Sequence, residues 1–566
     1  MAGDNNHHHV SEKIESTLPT KISFFRLVFD QGVVTQQIMD HPYPGSGTED
    51  DPYAWTLTGL VAIATLAVAL VSSAYTGGVQ QIEMQFNIGS EVATLGVSLF
   101  VLGFAIGPLL WAPLSELFGR QILFVTTYCA LTAFNAGCAG AKNAWTLIIL
   151  RFFAGAFGSS PLTNAGGVIA DMFPAKQRGI AMSLFAAAPF LGPVLGPIIG
   201  GFLGMNAGWK WVMGFLAAFS GAVWIMGSLL VPETYAPVLL RRRAAKLSQL
   251  TGKVYESKID IDQGKVKLKE SFKVALSRPW ILLFREPIVF LLSLYMAIVY
   301  GTLYMMFAAF PIVYQVDRGW NQGVGGLAFL GIMVGMLLAV AYTLWDNKRY
   351  VKTQDNHDGF APPRSPSTSF IAAGVPFGFG MVLVFLGIMN YLIDAYTIFA
   401  ASVLAANSVL RSCFGAAFPL FTTYMYNNLG IHWASSIPAF LALACVPFPF
   451  LFYKYGATIR KSCKFAAQSD AFMRKIQEQA TAGPTPEEEK EEETKFDRTE
   501  APGPVESLSS ESSNEHEHEL STAERSRSRA YSVTSTRTAN SMHRVPTYEG
   551  NPYDVDRVNT RESFKQ

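Results

Sequence analysis

The sequence is poor in charged residues. Only 15% of its 566 residues are charged and 50% are hydrophobic, whereas charged residues make up about a quarter of an ordinary soluble domain. The charged residues crowd into the two ends and a few short loops, and long stretches between them have almost none. This distribution excludes a soluble enzyme built on one core. The formal net charge of +1 identifies no partner, because it averages opposite local excesses.

The sequence is also poor in cysteine and in catalytic signatures. It has five cysteines, none in CxxC spacing, and four of them lie within apolar stretches. We therefore predict neither a disulfide framework nor a metal site. No HExxH, no GxSxG and no glycine-rich phosphate loop is present, so we expect no enzymatic activity and no cofactor. The cysteines are Cys129, Cys138, Cys413, Cys445 and Cys463.

What the chain does have is long apolar runs. A stretch of about 18 or more residues with few charges predicts a membrane-spanning helix, since backbone polar groups must be satisfied without water. Eleven stretches meet this criterion, six before the middle of the chain and five after it. They are 55–78, 92–114, 121–141, 145–170, 180–204, 211–231, 288–311, 324–345, 370–390, 397–420 and 433–454.

Lysine and arginine predict the orientation of these spans. Basic residues mark cytoplasmic loops, and they are concentrated in the segment between the sixth and seventh stretches, where Arg241, Arg242 and Arg243 are consecutive. Arg120 and Lys348 lie in loops on the same predicted side. We therefore place the N-terminus and the central segment in the cytoplasm.

The number of spans conflicts with this orientation. Eleven spans would leave the C-terminus outside, yet Lys454, Arg460 and Lys461 follow the last span and mark it as cytoplasmic. The polar, proline-rich stretch 346–369 contains no run long enough to cross a bilayer. We infer that one helix, the ninth of twelve, is missing between residues 345 and 370, most simply through a gene-model or splicing error.

Composition divides the chain into five regions. The last region is acidic and serine-rich with few apolar residues, which predicts disorder. The regions are a cytoplasmic N-terminal tail at 1–54, a first six-helix half at 55–231, a basic cytoplasmic loop at 232–287, a second half with five visible helices at 288–454, and a disordered cytoplasmic tail at 455–566.

The fifth stretch carries a regular pattern of glycine and proline. Glycines four residues apart share one face of a helix and let two backbones approach closely, while proline bends the helix. The pattern predicts either simple close packing or a hinge face between two halves, and we favour the hinge. The residues are Gly192, Pro193, Gly196, Pro197, Gly200 and Gly201.

The loop after the second stretch carries an acid and a base close together. Glu116 is positioned to bind a helix N-terminus or a basic partner in one state and to release it in another. We favour such a conformational latch over an ordinary loop that only sets orientation. Its residues are Gly107, Glu116, Gly119 and Arg120.

Several polar and aromatic residues lie inside apolar stretches. Arg151 and Arg411 need partners there, because a charged side chain within a span is costly. Asn407 lies one turn before Arg411, and for this pair we rank inter-helix bonding ahead of substrate contact. Tyr300, Tyr304 and Asn164 complete a candidate substrate cavity, although aromatic stripes more often serve packing.

These motifs together resemble a known family. The GPVLGPIIGG run over 192–201 resembles the antiporter signature of the major facilitator superfamily, and the loop at 107–120 resembles its loop motif. With Asp51-Pro52-Tyr53 and the PETYAPVLL run from Pro232, residues 20–475 are similar to fungal multidrug and polyamine-type drug–proton antiporters. Members have twelve spans, and the ninth is absent here.

The resemblance implies an all-α membrane protein with two six-helix halves around a central cavity. It implies proton-coupled export of small organic molecules across the plasma membrane, by a monomer whose partners are lipid, substrate and protons, without nucleic acid. It also implies that Arg151, Gly155 and Gly158 help to couple protons to transport. The alternatives are a solute uptake symporter, a non-transporting membrane protein or inactive product, and a membrane enzyme.

Overall fold

The computed structural model describes residues 52–173, 175–251, 268–355 and 377–482, together with positions 254, 257 and 260. The predicted N-terminal tail up to residue 51 and the tail beyond 482 lie outside the described residues, as do residues 370–376 of the ninth predicted stretch.

The described residues of the first half are helical almost throughout. Its helices are α1 (Pro52–Ala74), α2 (Val79–Phe86), α3 (Ser90–Phe118), α4 (Arg120–Ala139), α5 (Ala144–Met172), α6 (Ala175–Ala207) and α7 (Trp209–Leu230). The membrane spans of this half alternate in direction, and α1 and α2 belong to one continuous span. We call the end at which α1 begins the inner end and the opposite one the outer end.

Among the residues that the structure describes, two further helices precede the second half, which is also helical. The central segment contains α8 (Ala236–Thr251) and α9 (Leu268–Arg285). The second half then comprises α10 (Pro287–Phe310), α11 (Gln322–Gly326), α12 (Leu330–Asp355), α13 (Phe377–Ala395), α14 (Ala400–Cys445), α15 (Pro447–Ser462) and α16 (Lys464–Ala482).

Ten helical segments among the described residues are long and apolar enough to cross a membrane. The last, Thr397–Phe452, has 56 residues, which is about 84 Å if straight and far longer than one crossing of about 30 Å. It contains Gly430 at a non-helical φ of 70° and ψ of 167°. Tyr426 Oη and Ser435 Oγ lie 3.0 Å apart, whereas a straight helix would separate them by about 13 Å.

The chain therefore reverses direction at Gly430 and makes two legs. These legs correspond to the predicted stretches 397–420 and 433–454. Since the continuous helical segments number ten, the predicted count of eleven remains a prediction.

Helices α12 and α13 run parallel to each other. A Cβ added to Gly378, the second residue of α13, would collide with the backbone of Ile332 near the start of α12. At the other end of α13, Tyr396 donates a hydrogen bond to Glu286, which directly precedes α10. Asp355 at the end of α12 and Phe377 at the start of α13 thus lie at opposite ends of the bundle, separated in sequence by residues 356–376.

The two halves meet along two seams. Within the first half α1 packs on α6 and α3 packs on α5, and within the second half α10 packs on α14. Between the halves α3 packs on α14, and α6 packs on α11 and α12. Buried side chains from both halves form one continuous apolar cluster. The centre of the bundle is therefore built by both halves together.

The end of the described chain differs from the prediction of disorder from residue 455. Helices α15 and α16 occupy this region up to Ala482. Ala466 and Ser469 are buried, and Phe465 packs edge-on against Phe399 at 5.1 Å between ring centroids. Composition missed α16 because only one face is apolar, while the rest of the helix is polar. A second compact unit begins at Asp470, and its described part is the remainder of α16.

Candidate functional site

Charged residues cluster where α3 turns into α4 at the inner end. Arg120 Nε donates to Asp171 Oδ2 at 2.6 Å, and the two side chains are only 8% and 7% exposed. Glu233 Oε1 accepts from the backbone N–H groups of Arg120 at 2.9 Å and Tyr235 at 3.1 Å. This inner cluster, Arg120, Asp171, Glu233 and Tyr235, ties together the inner ends of α3, α4, α5 and α7.

Two glycines of the predicted latch motif make this cluster possible. Gly119 has a φ of +101°, and a Cβ there would collide with the Glu233 carboxylate. Gly107 packs directly against Ala156 and Ser159 of α5. Glu116, in contrast, is exposed and makes no ion pair within the described part of the chain. The latch role of Glu116 remains a prediction about another state.

Arg151 on α5 is fully buried and bonded to backbone carbonyls. Its Nε donates to Gly96 O at 3.0 Å, its Nη1 to Val71 O at 2.9 Å and its Nη2 to Ser72 O at 3.0 Å. The guanidinium also lies over the Tyr75 ring, 4.9 Å from the centroid. Arg151 therefore holds α1 and α3 against α5 and does not reach the outer surface as a snorkelling side chain would.

The two glycines that follow Arg151 serve close packing. A Cβ on Gly155 would collide with the backbone of Phe100, so α5 and α3 touch backbone to backbone there. Gly158 is less crowded, since a Cβ would lie 3.2 Å from both Leu131 and Val68. Any contribution of these residues to proton coupling acts through the packing of α5.

The glycine and proline pattern of α6 faces two different neighbours. Added Cβ atoms on Gly192, Gly196 and Gly200 would collide with α1, at Ala69, Ser73 and Ala74 respectively. The expectation that these three glycines face the other half is therefore wrong, because they lie against α1 of their own half.

The other end of the pattern does meet the second half. A Cβ on Gly201 would come 2.7 Å from Gln322 O, and one on Gly326 would come 2.6 Å from Pro197 O. The structure thus divides the motif, and its outer part alone contributes to the seam between halves. Pro193, like Pro189 and Pro197, lies inside α6.

A chain of hydroxyl groups crosses between the halves at the centre. Ser72 Oγ of α1 and Tyr304 Oη of α10 are hydrogen-bonded at 2.8 Å. Tyr300 Oη donates to Tyr304 Oη at 3.4 Å, and the guanidinium of Arg411 lies 4.8 Å from the Tyr300 ring centroid. Since Ser72 also provides a carbonyl to Arg151, the chain links the buried Arg151 of the first half to the partly buried Arg411 of the second half.

The structure brings together four of the five candidate cavity residues. Tyr300, Tyr304 and Arg411 form the chain just described, and Asn407 lies one turn below Arg411 and donates to Ser293 Oγ of α10 at 3.3 Å. Asn164 is 7% exposed and donates to Ser160 Oγ on its own helix at 3.2 Å. Its place in the cavity remains a prediction.

The sequence pattern of the Major Facilitator Superfamily matches residues 61–351, which is more than half of the chain. The chain belongs to the major facilitator superfamily.

Relatives in this superfamily are similar over nearly the whole chain. The Aspergillus fumigatus "Major facilitator superfamily multidrug transporter mdrA" is 71% identical over 99% of this chain and 99% of its own length. The Trichophyton rubrum "MFS-type efflux pump MFS2" is 60% identical over 96% of each chain. The Fusarium oxysporum "Efflux pump FUBT" is 48% identical over 82% of this chain and 86% of its own.

Several residues of this facilitator site were not identified from the sequence. Ser72 was missed because serine is common in apolar helices and nothing local marks its partner on α10. The sequence does not identify Asp171 and Glu233 as partners of Arg120, because both lie far from it along the chain. Phe190 and Phe385, whose ring centroids lie 4.6 Å apart across the halves, are ordinary aromatics until the fold joins them.

Proposed function

We propose that this chain is an efflux transporter that exports small organic molecules across the plasma membrane by alternating access, driven by proton entry. The observation that carries the proposal is the central hydroxyl chain Ser72–Tyr304–Tyr300 with Arg411 beside it, contributed by both halves in the middle of their spans. Relatives of high identity carry the names multidrug transporter and efflux pump.

The two halves also meet at the outer end, and we call this contact the outer seam. It is held weakly enough to open, as alternating access requires. Its polar contacts are two exposed glutamine pairs, Gln80 with Gln315 at 3.2 Å and Gln322 with Gln80 at 3.1 Å. Close packing at Gly201 and Gly326 against backbone, and of Gly323 against the Phe202 ring, accompanies these pairs. Because exposed neutral hydrogen bonds contribute little net free energy, such a seam opens without breaking a buried ion pair.

Within the first half, by contrast, the contacts are buried and strong. Arg151 fixes α1 through two carbonyls, and Arg120 is paired with Asp171 away from water. We infer that each half moves as a unit while the seams open and close. The inner cluster around Arg120 then acts as a brace at the inner end of the first half.

The proposal assigns proton binding to no single residue. Among the described residues, the interiors of the membrane spans contain no aspartate or glutamate. Arg151 is assigned to the coupling motif as a positioning residue, since its donors are engaged by carbonyls of α1 and α3.

The proposal extends to the setting of the protein. We place both tails in the cytoplasm once a ninth helix is restored, and we take the transporter to be a monomer in the lipid bilayer. Its partners are the substrate and protons. Neither nucleic acid, metal nor cofactor has a role in the proposed cycle.

Transport in inverted plasma-membrane vesicles from a pump-deficient yeast tests the direction and the driving force. With an acidic lumen, an antiporter accumulates a labelled organic probe in the lumen as protons leave, whereas a proton symporter would release it. We expect accumulation that a protonophore abolishes. Matching drug-susceptibility tests compare this chain with one in which a ninth helix has been restored. A membrane-inserted chain that moves no probe under the gradient would rule out the proposal.

A further inference from the structure

The centre of the bundle contains a cation without an acidic partner. Arg411 lies eleven residues from the start of α14, about 16 Å along the helix and so near the middle of the membrane. It makes no hydrogen bond or ion pair within the described part of the chain, and its Nε is buried without an acceptor. Charged groups inside a membrane protein almost always pair, so this arginine lacks the partner that its position requires.

The neighbouring helices supply no carboxylate. Helices α1, α6 and α10 contain neither aspartate nor glutamate. In α3 and α13 these residues occur only in the terminal turns, as Glu91, Glu116 and Asp394. With Arg151 joined to the same centre through Ser72 and Tyr304, the polar centre carries positive charge without compensation.

Two aromatic rings lie close to the guanidinium of Arg411. Its central carbon lies 4.8 Å from the Tyr300 ring centroid and 5.4 Å from that of Phe385. Phe190 of the first half packs on Phe385 at 4.6 Å. Aromatic rings supply no oxygen acceptor, and no described oxygen accepts a hydrogen bond from this guanidinium. Its N–H groups therefore remain available to bind a carboxylate with two parallel hydrogen bonds.

A neighbouring side chain has unused acceptor capacity. Asn407, one turn before Arg411, is 1% exposed, and its Oδ1 has no hydrogen-bond partner although its Nδ2 donates to Ser293. A buried polar atom without a partner costs free energy. The pair Asn407 and Arg411 therefore offers donors for an anion and one acceptor for a hydroxyl or N–H group, next to an apolar aromatic wall.

We propose that Arg411 recognises the carboxylate of an apolar aromatic organic acid, and that this transporter exports such acids in preference to cations of the same size. The inference rests on the proposed function and specifies its substrate class. The buried Arg151 and the partly buried Arg411 raise the local concentration of an anion and repel a cation. The inside-negative membrane potential also favours outward movement of an anion.

Three probes with one ring system test the proposal: 2-naphthoate, its neutral primary amide, and 2-naphthylmethylamine. Binding is measured to the full chain in lipid nanodiscs. We expect wild type to bind the carboxylate about tenfold more tightly than the amide, as one charge-assisted bidentate pair allows, and the amine most weakly. Equal affinities, or tightest binding of the amine, would overturn the proposal without any variant.

Variants then assign the preference to one side chain. Arg411→Gln should reduce the ratio of the affinities for the carboxylate and the amide to about one, while the affinity for the amide stays nearly unchanged. Arg411→Lys should retain part of this ratio, because lysine keeps the positive charge but lacks the two parallel N–H donors of arginine. Arg318→Gln is the control, since Arg318 is an exposed arginine at the outer end that also lies over a tyrosine ring. An equal loss for all three probes in Arg411→Gln would indicate a purely structural role and reject the assignment.

Vesicle transport of the same probes separates this inference from the proposed function. Export of the amide at least as fast as the carboxylate would reject the acid preference and leave efflux standing. Tight, Arg411-dependent binding of the carboxylate without export of any probe would reject the efflux function and leave the recognition site standing.

Discussion

At the scale of single residues, two buried arginines of the first half obtain their hydrogen-bond acceptors in different ways. The side chain of Arg120 forms an ion pair with Asp171, and the backbone N–H of Arg120 donates a hydrogen bond to Glu233. Arg151 has three carbonyl acceptors and ring contacts instead. A glycine makes room in both cases. A Cβ at Gly119, next to Arg120, would collide with Glu233, and a Cβ at Gly96, whose carbonyl accepts from Arg151, would collide with Tyr75. The position of each charge therefore depends on the backbone around it more than on an opposite charge in sequence.

Glu233 is predicted to be structural, whereas Glu116 is not. Glu233→Gln removes the charge next to Arg242, 3.8 Å away, and weakens a buried acceptor, so we expect a loss of about 1–3 kcal/mol in the free energy of unfolding. Glu116→Gln changes an exposed side chain and should alter the free energy of unfolding by less than about 0.5 kcal/mol. Thermal unfolding in detergent measures both. Equal shifts of the unfolding temperature in the two variants would contradict the structural role of Glu233 in the inner cluster. Reduced efflux in a fully stable Glu116→Gln variant would support the latch role of Glu116.

At the scale of helices, close approach of backbones sets which pairs move together. Helices α1 and α6 touch through Gly192, Gly196 and Gly200, and the outer end of α6 touches α11 through Gly201. The glycine pattern thus joins helices within a half over most of its length. The sequence correctly located the close approach but assigned it to the wrong neighbour, because the spacing of glycines identifies a helix face and not the helix opposite.

Substitution of Gly196 and Gly214 provides a matched pair for this packing. In Gly196→Ala the Cβ would collide with Ser73 and Ala74, so we expect destabilisation by roughly 1–3 kcal/mol, and Gly196→Leu should abolish export. Gly214 on α7 has no atom within 4 Å of an added Cβ, and Gly214→Ala should be neutral or stabilising by up to about 1 kcal/mol. Unfolding temperature and efflux are the readouts. Normal efflux in Gly196→Leu would refute the role of this contact.

Glu286 is predicted to dock the start of α16. Its Oε1 accepts from Phe465 N at 3.1 Å and its Oε2 from Tyr396 Oη at 2.8 Å. Burial, together with the neighbouring Glu286, raises the pKa of the Cys463 thiol to about 11. At pH 7.5 this thiol is therefore protonated and should react slowly with a hydrophilic maleimide.

Glu286→Ala should release α16 and accelerate labelling of Cys463 at least tenfold, whereas Glu286→Gln, which keeps an acceptor, should do so much less. Mass spectrometry reports the modification in a chain with Cys129 and Cys413 replaced by serine. Unchanged labelling in Glu286→Ala would show that other contacts hold the helix.

At the scale of the whole molecule, the parallel course of α12 and α13 supports the absence of one helix. The alignment with the Aspergillus fumigatus relative has 608 positions and covers 99% of this chain, about 560 residues, so about 48 positions fall opposite gaps in this chain. A helix of about 20 residues with its loops fits within that number. The last leg already ends at the inner end, where Phe465 N donates to Glu286, as the basic residues after it require. Spans that alternate in direction reach that end only if there are twelve of them.

Restoring this helix should improve the transporter. Unsatisfied backbone groups cost several kcal/mol each in hydrocarbon, so a chain whose polar stretch must join opposite ends of the bundle should assemble poorly. We expect insertion of the relative's corresponding segment between residues 355 and 377 to raise the amount at the plasma membrane severalfold, measured by surface biotinylation. Continuous transcript reads across residues 346–370, with equal surface amounts of both chains, would show that the sequence is functional as written.

The amino-acid sequence by itself determined the class of the protein, since long apolar runs can only be helices in a bilayer, and it located Gly119, Arg151 and Arg411 as positions with special requirements. The tertiary structure decided which groups meet these requirements: Glu233, the carbonyls of Val71 and Ser72, and the rings of Tyr300 and Phe385. Local spacing specifies a helix face, but partners distant in sequence depend on how whole helices pack. Whether a buried charge is paired is therefore decided only when the bundle has formed.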